Sequence, residues 1–168
     1  PADSDGDGIT DSEDACPSVA GIASLKGCPA PQDADGDGVV DTEDLLPNVA
    51  GLVTLQGVPA KLVIYFDTDL FDLTPESIGL LDPVIRLLKA QPALRLKLTG
   101  HTDSRQTVNY NLELSKNRVF ETRQYLIKNS LKAKRMKVAW FSELVPAAPN
   151  KTLDGMKLNR RVEIEILP

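Results

Sequence analysis

Five aspartates, Asp3, Asp5, Asp7, Asp11 and Asp14, stand at positions 1, 3, 5, 9 and 12 of a loop whose sixth position is Gly8. The same five recur thirty residues on as Asp33, Asp35, Asp37, Asp41 and Asp44, around Gly38. Carboxylates at that spacing, folded back by a sharp glycine turn, supply the oxygen donors a calcium ion takes, about six to eight of them. Ile9 and Val39 fall at the seventh position, where a backbone carbonyl would be the ligand. The twelfth-position acid is Asp, with a shorter reach than Glu, and no helix is expected before Asp3. A complete helix–loop–helix hand is therefore not expected, and about one Ca2+ per loop is.

The spacing belongs to a longer repeat. DSDGDGITDSEDACPSVAG (3–21) aligns with DADGDGVVDTEDLLPNVAG (33–51), and Leu25, Gly27 and Pro29 recur as Leu55, Gly57 and Pro59. Units 3–29 and 33–59 make up a segment 1–60 that holds twelve acids and one base, Lys26, a net charge of −11. Such a segment repels itself unless a cation neutralises it. An acidic disordered linker is the plain alternative, but random acidity would not keep five spacings twice. Cys16 and Cys28, the only cysteines, are replaced together by Leu46 and Val58 in the second unit. A disulfide exchanged for an apolar contact explains that paired replacement, and it implies an oxidising compartment. The segment resembles thrombospondin type 3 repeats, Asp-rich calcium loops followed by Cys-Pro and a short turn.

Residues 61–168 differ in texture, with 18 bases against 12 acids interleaved along the chain. A nucleic-acid binder would gather its cations into a patch, so nucleic acid is not an expected partner. The elements to be expected are a strand at 61–66, a helix from Thr74-Pro75-Glu76 interrupted at Pro83, and a strand through Leu94, Leu96 and Leu98. A polar loop 100–110, a helix at about 111–129, and strands at 136–141 and 161–167 complete the order βαβαββ. That order predicts an α/β (α+β) sandwich, a mixed sheet with its helices on one face, preceded by the irregular repeat segment. No apolar run is long enough to span a membrane as a helix. The chain opens with Pro1 and shows no signal peptide, as a fragment or mature segment would.

YFDTD (65–69), TGHTD (99–103), YNLELSKNR (110–118), PN-x-T-x-x-G (149–155) and NRRVEI (159–164) appear in order. Together they resemble the outer-membrane-protein-A C-terminal-like domain, over about residues 61–167. The resemblance implies non-covalent binding of peptidoglycan through the diaminopimelate of its stem peptide. It also implies a place on the periplasmic face of the outer membrane of a Gram-negative bacterium, with an outer-membrane part lying N-terminal to this chain. Diaminopimelate ends in a carboxylate and an ammonium on one carbon, and such a zwitterion needs a cation and an anion a few Å apart. Arg118 can fork onto the carboxylate, and Asp103 can accept from the ammonium. The resemblance places these roles on the same two residues and adds Phe66, Asp67, Thr68, Thr102, Asn111 and Leu114 as pocket lining. A plain ion pair between Asp103 and Arg118 is the alternative. Gln106, Val119 and Ser130 stand where the family usually has small residues or glycine, which bears on loop and helix-end geometry.

Beside those residues, His101 is the only histidine and lacks a nucleophile partner, so a structural role is expected. Asn159, Arg160 and Arg161 are expected to brace the sheet edge near the pocket, and Trp140 and Phe141 to pack. The expected function is a non-catalytic anchor on a calcium-stiffened spacer. A calcium-dependent adhesion or assembly module and a cell-wall hydrolase are the alternatives. Hydrolysis is disfavoured, since no HExxH, GxSxG or Cys–His pairing is visible.

Overall fold

The computed structural model describes residues 2–168. Residues 2–60 are two copies of one irregular unit, with the same backbone bonds at an offset of thirty. Asp7 Oδ2 accepts from Gly21 N at 2.9 Å and Asp37 Oδ2 from Gly51 N at 2.8 Å. Each unit ends in a 3-10 turn, Ala23–Leu25 or Val53–Leu55, followed by a left-handed residue, Lys26 or Gln56, both at φ 52°. The side chain of Asp14 lies over Gly27, and that of Asp44 over Gly57, where any Cβ would collide with the carboxylate. The glycine is thus what lets the twelfth-position acid fold inwards.

The two units differ in what holds them. Cys16 and Cys28 form the expected disulfide. Their counterparts Leu46 and Val58 are buried and, with Leu55, join the core of the second domain.

That domain is a four-stranded sheet in the order β1-β4-β2-β3, with β1 Lys61–Tyr65, β2 Arg95–Gly100, β3 Met136–Trp140 and β4 Arg161–Leu167. β4 runs antiparallel to both β1 and β2, and β3 runs parallel to β2. Alternation places Leu62, Ile64, Leu96, Leu98, Val162 and Ile164 on one face, against two helices. The other face is charged and carries the pairs Lys61–Glu163 at 2.8 Å and Lys97–Glu165 at 3.5 Å.

Helix α1, Pro75–Ala90, is capped by Thr74 and runs on through Pro83. Helix α2, Val108–Lys128, begins a turn earlier than the pattern predicts, because Thr107 Oγ1 accepts from Tyr110 N and caps it there. The Pro-containing stretch expected as loop also holds a short helix, α3, Leu153–Asn159, capped by Thr152 onto Gly155 N at 3.0 Å. The expected βαβαββ order therefore gains one helix before β4. With β4 interior, residues 159–161 lead from α3 into a central strand and not a sheet edge. Among the described residues no helix is long and apolar enough to cross a membrane.

Candidate functional site

β2 ends at Gly100, whose Cα lies so close to Ser115 O and Val119 that any side chain would strike the α2 backbone. That contact sets the loop His101–Asp103 beside the helix carrying Arg118. Arg118 is fully buried. Its Nε donates to Leu70 O at 2.9 Å, Nη1 to His101 O at 3.0 Å and Nη2 to Asp67 O at 3.0 Å. Its guanidinium carbon stands 5.3 Å from the Phe66 ring centroid. Burial, and then the neighbouring Arg160, lower its pKa to about 10, so it stays charged at neutral pH. Three of the five N–H donors of a guanidinium are used, which leaves one on each terminal nitrogen.

Asp103 is also buried, and its partners are not Arg118. Arg105 donates to Asp103 Oδ2 from Nη2 at 2.6 Å and from Nε at 3.1 Å, and Arg160 Nη1 reaches the same oxygen at 3.2 Å. Burial pushes the carboxyl up, but the hydrogen bonds from Arg105 and Arg160 outweigh it and hold Asp103 below its usual range. The plain Asp103–Arg118 ion pair is therefore absent. Arg105 closes over the acid, and Leu70, His101 and Asp67 close over the cation.

The other pocket residues gather around these two. Thr68 Oγ1 accepts from Arg105 Nη2 at 2.9 Å. Asn111 Nδ2 donates to Asp103 O at 3.1 Å and also meets Glu143 Oε2. Thr102 donates its N–H to Ser142 O at 3.0 Å, and its hydroxyl is buried with no partner. Leu114 is buried one turn before Arg118 on the same helix face. Phe66 O accepts from Arg160 Nε at 2.9 Å. Arg105 and Arg160 are the partners that the sequence pattern did not assign to Asp103. Arg105 lies two residues away, a spacing that could have signalled it. A cavity of about 420 Å3 is bordered by Phe66, Asp67 and Arg160, three residues that contact Arg118 or Asp103.

The remaining residues singled out in the sequence are structural. His101 is 2% exposed, stacks on Phe141 at 5.9 Å and has neither ring nitrogen hydrogen-bonded. Burial, and then Arg161, lower its pKa to about 4. Asn159 Oδ1 accepts from Ala147 N and Ala148 N, at 2.8 and 3.0 Å, and pins the loop before α3. Arg161 Nη2 pairs with Glu163 at 2.7 Å. Trp140 packs against Phe120 at 5.9 Å.

In the acidic loops, oxygens of Asp3, Asp5 and Asp7 lie within 4.8 Å of one another, as do those of Asp33, Asp35 and Asp37. The other expected ligands, like these six aspartates, also take part in bonds within their own loops. Asp11 accepts from Ser4 N at 2.7 Å, Asp41 from Ala34 N at 2.8 Å, and Asp14 and Asp44 each accept from the N–H two residues on at 2.6 Å. Ile9 and Val39 donate their N–H groups to Asp7 and Asp37, at 2.9 and 2.8 Å. Asp5 Oδ2, Asp35 Oδ2 and Asp44 Oδ2 are buried without a partner. Burial, and crowding by neighbouring acids, push Asp5 and Asp35 up. Orphaned, crowded carboxylate oxygens are what a bound divalent cation would satisfy.

The profile of the OmpA family matches residues 65–160, more than half of the chain. The chain belongs to the OmpA family. A thrombospondin type 3 repeat profile matches residues 1–24. The chain is 38% identical over 103 residues to outer membrane protein A of Bordetella avium, covering 61% of this chain and 53% of that protein. It is 31% identical over 168 residues to outer membrane porin F of Pseudomonas aeruginosa, covering 98% of this chain and 41% of that protein. The chain thus spans about half or less of these two relatives. The fold matches the crystal structure of the peptidoglycan-associated lipoprotein from Burkholderia pseudomallei, with a TM-score of 0.60 and 26% identity, covering 62% of this chain and 89% of that one. This OmpA-like domain therefore has the mixed α/β fold of that lipoprotein.

Proposed function

We propose that this chain is a non-catalytic peptidoglycan anchor on the periplasmic face of the outer membrane, and that it holds the diaminopimelate of the stem peptide. The supporting observation is the placing at the end of β2, without contact between them, of an ionised, buried carboxylate and a buried guanidinium that keeps an N–H on each terminal nitrogen. The ligand's ammonium takes the place of Arg105 on Asp103. Arg105 is partly exposed and can swing out to solvent, and the ammonium replaces its charge, so the buried Asp103 carboxylate stays paired through the exchange. The ligand's carboxylate meets Arg118, with Arg160 beside it, once the 67–70 loop moves aside. The names of the relatives and the Cys16–Cys28 disulfide, which suits an oxidising compartment, agree with this location.

Asp103→Asn and Arg118→Lys keep shape while removing charge or fork geometry. Each should weaken binding of diaminopimelate muropeptides by about 2–5 kcal/mol. Arg105→Ala should leave binding intact or tighten it. Wild-type affinity in the folded Asp103→Asn and Arg118→Lys proteins would reject the reading.

In the repeats, Asp3, Asp5, Asp7, Asp11 and Asp14 with the Ile9 carbonyl, and their counterparts Asp33, Asp35, Asp37, Asp41 and Asp44 with the Val39 carbonyl, would hold Ca2+. The bound ion would supply the positive charge that the acidic segment lacks. Calcium added to chelated protein should slow proteolysis of residues 1–60, and no change would remove the spacer role.

A further inference from the structure

Two stretches of the OmpA-like domain carry no acid. Residues 83–102 hold Arg86, Lys89, Arg95 and Lys97, and residues 122–142 hold Arg123, Lys128, Lys132, Lys134, Arg135 and Lys137. Over the whole half these bases read as interleaved with acids, but the fold brings members of the two acid-free stretches together. Lys89, Arg95, Lys132, Lys134 and Arg135 line one cavity of about 570 Å3, where α1 ends, β2 begins and the chain turns after α2. Leu88 and Leu131, both buried, contribute apolar lining.

Every ion pair among the described residues lies elsewhere, so no carboxylate neutralises any of the five. Two have structural work. Arg135 donates to Leu88 O, Gln91 O and Leu94 O at 2.7–3.0 Å and so closes the end of α1. Lys89 sits in the last turn of α1, where a cation suits the helix dipole. Arg95, Lys132 and Lys134 lie outside any α-helix and hold no carbonyl or carboxylate. Their cost is like-charge repulsion around a concave, partly apolar surface. Clefts lined by one sign of charge focus the field and concentrate counter-ions.

We propose that this cavity binds a phosphate-bearing group, with Arg95 forking onto the phosphate oxygens and Lys132 and Lys134 acting as point charges. Its volume falls in the range of roughly 300–1,000 Å3 typical of small-molecule sites, which suits a phosphorylated headgroup better than a bare ion. Its position is also informative. Gln91 Nε2, beside Pro92 in sequence, donates to Thr54 O at 3.0 Å and ties the second repeat to this end of the sheet. The Asp103 site lies at the opposite end of β2. A phosphate held here and a wall fragment held there would be gripped from the two ends of one domain.

The full chain is titrated with glycerol phosphate, followed by NMR shifts, and separately sedimented with vesicles of phosphatidylglycerol or of phosphatidylcholine. Lys132→Glu/Lys134→Glu alters two exposed side chains with no hydrogen bonds and should fold. Lys116→Glu/Lys151→Glu gives the same change in net charge away from the cavity. Binding of glycerol phosphate that falls at least tenfold in the first variant and less than twofold in the second supports the site with a soluble ligand. The same pattern seen only with phosphatidylglycerol vesicles supports it with a lipid headgroup as the source. The proposal is overturned if neither probe binds, if both variants lose binding equally, or if a single-stranded oligonucleotide outcompetes both probes.

Discussion

The two repeats are one structure under two kinds of support. In the first, Cys16 and Cys28 are cross-linked, while Val19, Ile22 and Leu25 face solvent. In the second, Leu46 and Val58 replace the cysteines, and with Leu55 they sit in the core of the neighbouring domain. A unit of thirty residues buries too little apolar surface to stand alone. It therefore needs either a covalent staple or a neighbour, and this chain uses one of each.

The widest separation between the units should come from a matched pair of truncations. Leu55 is 9% exposed and Leu25 is 41% exposed at the equivalent place. Leu55→Ala should cost the whole domain about 2–5 kcal/mol in chemical denaturation. Leu25→Ala should move the same transition by less than about 0.5 kcal/mol. Equal effects would mean that the second unit is not docked.

Next comes removal of the staple. Cys16→Ser/Cys28→Ser should cost the first unit about 3 kcal/mol in the chain-entropy model. Limited proteolysis should then cut residues 1–30 early, while the domain melts as before.

Acid gives a further separation. His101 has a folded pKa of about 4 against an ordinary 6.5, so the unfolded chain takes up its proton first. Stability should therefore fall as pH drops through that window, by about 2–3 kcal/mol, and His101→Phe should flatten the slope. If the second unit is part of the domain core, its protection in hydrogen exchange should follow this slope. The first unit's protection should not.

The repeat and the strands were legible in the sequence because an offset of thirty and a period of two survive without tertiary context. Helix α3 was not, since its seven residues are too few to display a helical face. The pairing of Arg160 with Asp103 spans 57 residues and has no local signature. The choice of Asp103 and Arg118 came from motif resemblance. Their immediate neighbours, Arg105 and three backbone carbonyls, emerge only when the loops close. The basic cavity was hidden for the same reason, since its two acid-free stretches meet only in the fold.

The finest contrast lies in the left-handed residues that end the two 3-10 turns. Lys26→Gly and Gln56→Gly each relieve a positive φ at some cost in chain entropy, for a gain of about 0.5–1 kcal/mol. The gain should raise the domain's Tm for Gln56→Gly and leave it unchanged for Lys26→Gly.

Beyond the repeats lies the proposed head-group site, in which a carboxylate would meet Arg118 and an ammonium Asp103. Calorimetry comparing diaminopimelate-type with lysine-type stem peptides separates those charges, since the lysine form lacks the carboxylate. Binding at least tenfold weaker for the lysine form, about 1.4 kcal/mol or more, is expected from a buried cation left unmatched. Equal affinity for the two peptides would contradict it.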